Sequence, residues 1–228
     1  MASRLQKLAF LLTQQDQIHL RHAAEILGVS EMTIRRDISR HSSPFRVLGG
    51  YIVRQDPKNY YDVAEQQTKQ MSEKLLLGER AAKLIKQGEV VFFDCGSTIP
   101  FIASQIEPTL CFTALCCSLN TLTLLADNPN CRLILLGGEF SRNNALFQPL
   151  DNENELDLLC TDKAFISAAG FSQEKGVTCF NFIEAKLKRK AITKTKQAIL
   201  VADKAKKDVV QSAFVCPLSV FDQIITNE

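Results

Sequence analysis

Between residues 90 and 203 the chain keeps returning to short runs that are apolar at nearly every position. "VVFFD" (Val90–Asp94), "FTALCC" (Phe112–Cys117), "RLILLGG" (Arg132–Gly138), "KAFISAAG" (Lys163–Gly170) and "AILVAD" (Ala198–Asp203) are the clearest. A strand with one wet face alternates apolar and polar residues, so runs without alternation must be covered on both faces. "LGERAAKLIKQG", "IPFIASQI", "LTLLAD" and the stretch around Ile183–Thr195 fall between them and continue the alternation; Pro100 sits in a first helical turn, where proline is tolerated. Covered strands alternating with helices make an α/β domain on a mostly parallel sheet.

The first sixty residues differ in charge as well as pattern. They hold nine Lys/Arg against five Asp/Glu, a net of +4, whereas the remaining 168 hold 18 against 20, a net of −2. A positive piece on a slightly acidic body suits a polyanionic partner for the first segment alone. All three histidines (His19, His22, His41) lie there too, which leaves the α/β region without one. A chain of 228 residues accommodates a small domain joined to a larger one.

Within the basic segment, Leu5, Leu8 and Leu12 recur as a helical stripe. A second helix is expected from about Arg21 to Leu27, ending at Gly28, and a third from an N-cap at Ser30 to about Arg40. "FRVL" and "YIVR" around Gly49-Gly50 read as a hairpin over Phe45–Arg54. Helix, turn, helix and hairpin make a winged helix-turn-helix. Leu20, Ala24, Leu27, Ile34 and Ile38 face inward. Ser30, Met32, Thr33, Arg35, Arg36, Ser39 and Arg40 are the expected DNA contacts on or beside the outer face, with Arg46 and Arg54 of the wing meeting the sugar-phosphate backbone. A three-helix bundle with a solvated basic face is the plainer alternative. Turn glycine, cap serine, core alanine, basic face and wing together favour double-stranded DNA.

"AAEILGVSEMTIRRDISRH" followed by "LGGYIV", then "FFDCGST", "SLNTL", "LGGEF", "SAAGF…KGVTCFN", "LVADKAK" and "FDQIITN", resembles the DeoR family of bacterial transcriptional regulators over nearly the whole length. The resemblance implies a winged helix-turn-helix over 1–57, a linker or helix over 58–74 and an effector-sensing domain over 75–228. It implies that this domain is similar in fold to ribose-5-phosphate isomerase. It also implies a repressor released from operator DNA by a sugar phosphate, deoxyribose 5-phosphate in particular. We expect a homo-oligomer, no cofactor, no bound metal, no membrane and a cytoplasmic location. An activator of the same architecture and an isomerase with an appended DNA-binding domain remain open.

The strand-to-helix turn "DCGST" offers backbone N–H groups and hydroxyls that suit phosphate, although an ordinary βα connection has the same composition. The resemblance tips this toward phosphate. Asp94, Gly96, Ser97 and Thr98 are therefore expected at the effector site. Because ligands gather beyond the carboxyl ends of such strands, Ser118, Asn120, Gly137, Gly138, Glu139, Gly170 and Lys206 are expected beside them. Without histidine no Cys–His or Ser–His pair forms in this domain, but Asp94, Glu139 and Lys206 could serve a carboxylate–lysine isomerase. "EAKLKRKAITKTK", with six Lys/Arg between Lys186 and Lys196, reads as the solvated face of a helix packed by Leu187, Ala191 and Ile192. Asn181 and Glu184 match the family's Asn-x-x-Glu and border the expected pocket. The eight cysteines contain no CxxC and read as buried, reduced thiols. The family usually carries Asp-x-Ser-Lys where this chain has Asp203-Lys204-Ala205-Lys206, which removes a hydroxyl beside Lys206. Its ending also runs further than "IITNE", so a final element at the sheet edge is expected to be missing.

Overall fold

The computed structural model describes residues 7–8, 11–12, 17–39, 45–54, 71–142, 144–151 and 154–227, with only the backbone of Arg46, Leu48 and Arg54. The chain divides into two compact units, Met1–Tyr60 and Tyr61–Glu228. Of the expected linker or helix over 58–74, residues 58–70 lie outside the described residues and 71–74 are helical.

In the first unit, Lys7, Leu8, Leu11 and Leu12 are helical, with Leu8 and Leu12 buried, while Leu5 lies outside the described residues. β1 (Gln17–His19) leads into α1 (Leu20–Leu27), α2 (Glu31–Ile38) and the hairpin of β2 (Phe45–Leu48) and β3 (Tyr51–Arg54). The turn between α1 and α2 is local chemistry. Gly28 takes φ +64°, a left-handed value that glycine reaches without strain, and its N–H closes α1 onto the carbonyls of Ala24 and Glu25. Two residues on, Ser30 caps α2 by accepting from the Thr33 N–H at 3.2 Å. β1 pairs antiparallel with β3, placing Ile18 opposite Ile52, and both side chains enter a core with Leu20, Ala23, Ile34, Ile38 and Phe45.

The second unit is built on a six-stranded sheet. Its strands are β4 (Val90–Phe93), β5 (Phe112–Cys116), β6 (Cys131–Leu135), β9 (Thr161–Ile166), β12 (Thr195–Val201) and β14 (Gln223–Ile225). The order is β14-β12-β9-β4-β5-β6, and every pairing is parallel. The doubly apolar runs have the expected cause. Along β4, Val91 and Phe93 enter one core and Phe92 the other; along β12, Ile199 and Val201 separate in the same way from Ala198 and Leu200. One face is covered by α3 (Met71–Ala82), α4 (Ile99–Ala103) and α5 (Leu119–Ala126). The other is covered by α6 (Phe182–Thr193) and an antiparallel sheet of β10 (Gly170–Ser172), β11 (Gly176–Cys179) and β13 (Ala213–Cys216). Fully burying Phe92, Phe93 and Phe165 stabilises the unit by about 1.5–3 kcal/mol each. A hairpin of β7 (Glu139–Ser141) and β8 (Leu146–Gln148) follows β6.

The order of the large sheet has a functional consequence. From β4 the chain steps outward to β5 and β6, then returns to the other side of β4 and steps outward again through β9, β12 and β14. The direction reverses between β4 and β9. In open parallel sheets a crevice opens beyond the strand ends at such a reversal, and ligands bind there.

One expectation fails among the cysteines. All eight are free, and Cys95, Cys116, Cys117, Cys179 and Cys216 are buried, but Cys111 and Cys160 are exposed and Cys131 is half-buried. Cys111 and Cys160 stand just before β5 and β9, outside the covered apolar runs.

Candidate functional site

In the first unit α2 separates its faces as expected. Ile34 and Ile38 are buried, Met32 is 73% exposed, Arg35, Arg36 and Ser39 are exposed, and Thr33 is half-buried. Three hydroxyls counted among the contacts already serve the helix. The Ser30 and Thr33 side chains bond each other at 2.9 Å around the cap, and the Ser39 Oγ donates to the Arg36 carbonyl at 3.0 Å. Asp37, the carboxylate of the last turn, is buried and so withdrawn from the outer face. Arg40 and the side chains of Arg46 and Arg54 lie outside the described residues. What remains outward is Met32, two adjacent guanidinium groups and the first-turn Glu31, and the arginines supply the donor set of a major-groove helix.

In the second unit the chain reversal falls on two residues, Asp94 at the end of β4 and Ser167 at the end of β9. The Asp94 side chain is 0% exposed. Its Oδ2 accepts from the Ser167 N–H at 2.8 Å, the Ser167 Oγ at 2.5 Å and the Lys188 ammonium of α6. Lys188, also wholly buried, donates further to the Ser167 carbonyl at 3.1 Å and Oγ at 2.9 Å, and lies 3.1 Å from Glu184 Oε1. Burial alone would lift the Asp94 carboxyl, but the Lys188 charge, its hydrogen bond and the two bonds from Ser167 hold it below 3.8. Burial alone would lower Lys188; the charges of Asp94 and Glu184 outweigh it and hold the ammonium well above 10.5. The ion pair is therefore charged at neutral pH, inside the protein. Asp94 Oδ1 has no hydrogen-bond partner among the described residues.

Gly96 shows why the turn after β4 is so small. A Cβ there would stand 2.0 Å from Ser167 Oγ, so only glycine lets the turn pass this close to β9. Ser97 and Thr98 are buried; Thr98 precedes α4 but makes no side-chain cap, and α4 itself is only five residues long.

The other expected effector residues are dispersed along the carboxyl edge. Ser118 is buried as the N-cap of α5, accepting from the Thr121 N–H and donating to Thr121 Oγ1 at 3.0 Å, and Asn120 is half-buried. Gly137 is half-buried, while Gly138 and Glu139 are exposed at the start of the β7–β8 hairpin. Gly170 opens β10, and half-buried Lys206 ends a short 3₁₀ turn (Lys204–Lys206) whose next residue, Lys207, bridges to Phe171. Gly170 and Lys206 thus share one neighbourhood. Asp203, ahead of that turn, is buried, and its Oδ1 has no hydrogen-bond partner among the described residues.

The solvated reading of 184–196 needs correction. Lys190 and Lys196 do reach surface carboxylates, Asp157 and Asp162, but Lys188 points into the protein. Sequence reasoning therefore missed Lys188 and Ser167. A signal for Lys188 was present: Glu184, Ala185, Lys188, Ala191 and Ile192 fall three or four apart on one face, and all five are buried. Asn181 caps α6 by accepting from the Ile183 N–H at 2.8 Å.

One grouping among the described residues has metal-ligand types. The donor atoms of Asp94, Cys95 and Cys117 lie within 4.8 Å of one another. The chemistry there opposes a cation. Lys188 already occupies Asp94, and the neighbouring Cys117 thiol followed by burial pushes the Cys95 thiol well above its usual range.

A basic-faced winged helix, joined to a parallel-sheet unit with a buried polar cluster at its switch point, defines a DNA-binding transcription regulator. A family model described as "DeoR-like helix-turn-helix domain" matches residues 4–56, and one described as "DeoR C terminal sensor domain" matches 69–228. The chain belongs to the DeoR family. It is 42% identical over 226 residues to the deoxyribose operon repressor of Escherichia coli (strain K12), covering 98% of this chain and 89% of that protein. It is 29% identical over 227 residues to the HTH-type transcriptional regulator GolR of Listeria innocua serovar 6a, with the same coverage. Among solved structures, ribose 5-phosphate isomerase A from Methanocaldococcus jannaschii matches at a TM-score of 0.44 and 18% identity. The match spans 59% of this chain and 53%, about half, of the isomerase. A likeness at that level assigns no residue and no chemistry.

Proposed function

We propose that the protein is a repressor of a sugar or deoxynucleoside catabolic operon that grips operator DNA through α2 and the wing and lets go when a sugar phosphate binds the second unit. The observation that carries the DNA half is the split of α2: Ile34 and Ile38 buried, Met32, Arg35 and Arg36 outward. The effector half is supported by the buried polar cluster of Asp94, Ser167 and Lys188 at the strand-order reversal, and the choice of deoxyribose 5-phosphate by the 42% identical relative and its name. We place the protein in the cytoplasm, as a homo-oligomer whose paired subunits address paired half-sites.

Coupling needs no turnover. An effector that binds the DNA-incompetent arrangement more tightly shifts the population by its differential affinity, typically about 1–3 kcal/mol per site. Both named relatives are regulators, which supports a sensor rather than an enzyme.

Fluorescence anisotropy on a labelled promoter fragment at low ionic strength tests this. Binding that is reversed by millimolar deoxyribose 5-phosphate is expected. No binding with or without the sugar phosphate would sink the proposal, and steady conversion of a pentose phosphate by the protein would replace it with the isomerase.

A further inference from the structure

We propose that the outer face of α6, with the segment 149–158 beside it, is the surface through which two copies of this chain pair. The inference rests on the homo-oligomer reading above and gives it a location; the operator and sugar-phosphate readings do not depend on it.

Exposed apolar side chains gather here. Leu150 and Leu158, toward the two ends of the segment, are 80% and 84% exposed, and Phe182 and Ile183 in the first turn of α6 are 70% and 51% exposed. Leu150 and Ile183 line one open cleft of about 210 Å³, together with Asn154, Lys186 and Lys190. Small-molecule sites hold roughly 300–1,000 Å³ and enclose their ligand, so an open cleft of this size suits a side chain from another protein surface. Isolated apolar residues at a surface are ordinary, whereas a group of them rimmed by charge marks an interface.

The rim selects the partner. Residues 151–157 carry Asp151, Glu153, Glu155 and Asp157 and no cation, while residues 186–194 of α6 and its cap carry five cations and no carboxylate. Lys188 points inward, which leaves Lys186, Arg189, Lys190 and Lys194 exposed or half-buried. The ion pair of Lys190 with Asp157 fixes the two strips as neighbours. A face with an acidic strip beside a basic one complements itself. A two-fold axis along the border between the strips lays each copy's α6 on the other's acidic segment; an axis across the border would oppose like charges. A polyanion would meet the carboxylates as well as the cations, so nucleic acid fits this face worse than a second copy does.

Two charge-reversed forms of the full-length chain test the pairing by sedimentation at micromolar concentration and low salt. Lys186→Glu/Lys190→Glu makes both strips acidic, and Asp151→Lys/Glu155→Lys makes both basic, so neither form complements itself and each complements the other. We expect either form alone to associate at least about a hundredfold more weakly than the wild type, and an equimolar mixture to regain the wild-type mass. Reversed forms that keep the wild-type mass overturn the inference and leave a homo-oligomer built through another face. A loss of mass that mixing does not restore overturns it too, because complementarity would then play no part. A monomeric wild type overturns both the inference and the homo-oligomer reading. Should circular dichroism show that a reversed form does not fold, Leu150→Ser/Ile183→Ser decides, since both side chains are exposed: a lower mass than the wild type supports the pairing face, and an unchanged mass overturns it.

Discussion

The Lys188 ammonium rests against Asp94 Oδ2 with neither side chain reaching water. Removing one partner of a buried pair leaves an uncompensated charge, at a cost of roughly 3–5 kcal/mol. Lys188→Met, close in volume and without charge, should therefore lower the urea midpoint of the second unit by that equivalent. Lys190→Met, two residues on and in a partly exposed pair with Asp157, should change it little. Equal effects from the two would show that burial does not set the energy of these pairs.

The same pair sets a pH window. The Asp94 carboxyl is held below 3.8 in the folded protein, so its stabilising share is complete above the unfolded value and fades as pH falls through the folded one. Lys188, held above 10.5, contributes fully below its unfolded value and loses that share only as pH rises through its higher folded one. Wild type and the double variant Asp94→Asn/Lys188→Met should thus differ by a constant unfolding free energy between about pH 5 and 9. The difference should shrink below about pH 4. A difference that slopes across neutral pH would contradict the assignment.

Gly96→Ala should destabilise the second unit, since the new methyl would meet Ser167 Oγ at 2.0 Å. Pairing it with Ser167→Gly clears the space. The two losses should then sum to more than the loss of the double variant, a coupling of about 0.5–3 kcal/mol measurable by denaturation. Strict additivity would mean the turn moves aside without help.

Arg35→Ala and Arg36→Ala should leave the fold intact, since both side chains are exposed. Whichever arginine meets a guanine edge should cost roughly 1–3 kcal/mol of operator binding, and a phosphate contact should instead reduce the salt dependence. Anisotropy titrations at two salt concentrations separate these outcomes; unaltered affinity in both variants removes α2 from the groove.

Lys206→Ala should preserve operator affinity and raise the sugar-phosphate concentration needed for release at least about tenfold, the size expected for losing one charged hydrogen bond. Half-buried Lys206 sits beside the Gly170–Phe171 segment, on a different strand end from Asp94. Release at the wild-type concentration would place the phosphate away from this turn.

What was legible in the sequence was local or periodic. Gly28 and Ser30 act within a turn of their own backbone, so α1 and α2 were readable from adjacent residues. Strands apolar on both faces announced their covered sheet in the same way. The buried polar cluster was only half legible. Its glycine turn after β4 stands in a recognisable motif, but Ser167 and Lys188 reach Asp94 across 73 and 94 positions, and no spacing rule spans that distance. Lys188 was also hidden by its neighbours: among Lys186, Arg189 and Lys190 it reads as one more surface cation unless the apolar stripe of Ala185, Ala191 and Ile192 is followed through it. The β10-β11-β13 sheet was missed because its strands are three or four residues long, and β10 and β11 carry glycine, serine or threonine at half or more of their positions.

Every sulfhydryl of the chain belongs to the second unit; Cys111 and Cys160 are exposed, Cys131 is half-buried and the other five are buried. A maleimide dye should therefore tag two positions at once and the shielded ones only as that unit opens. Labelling rates would time its breathing in the intact regulator, free of any signal from the part that holds DNA.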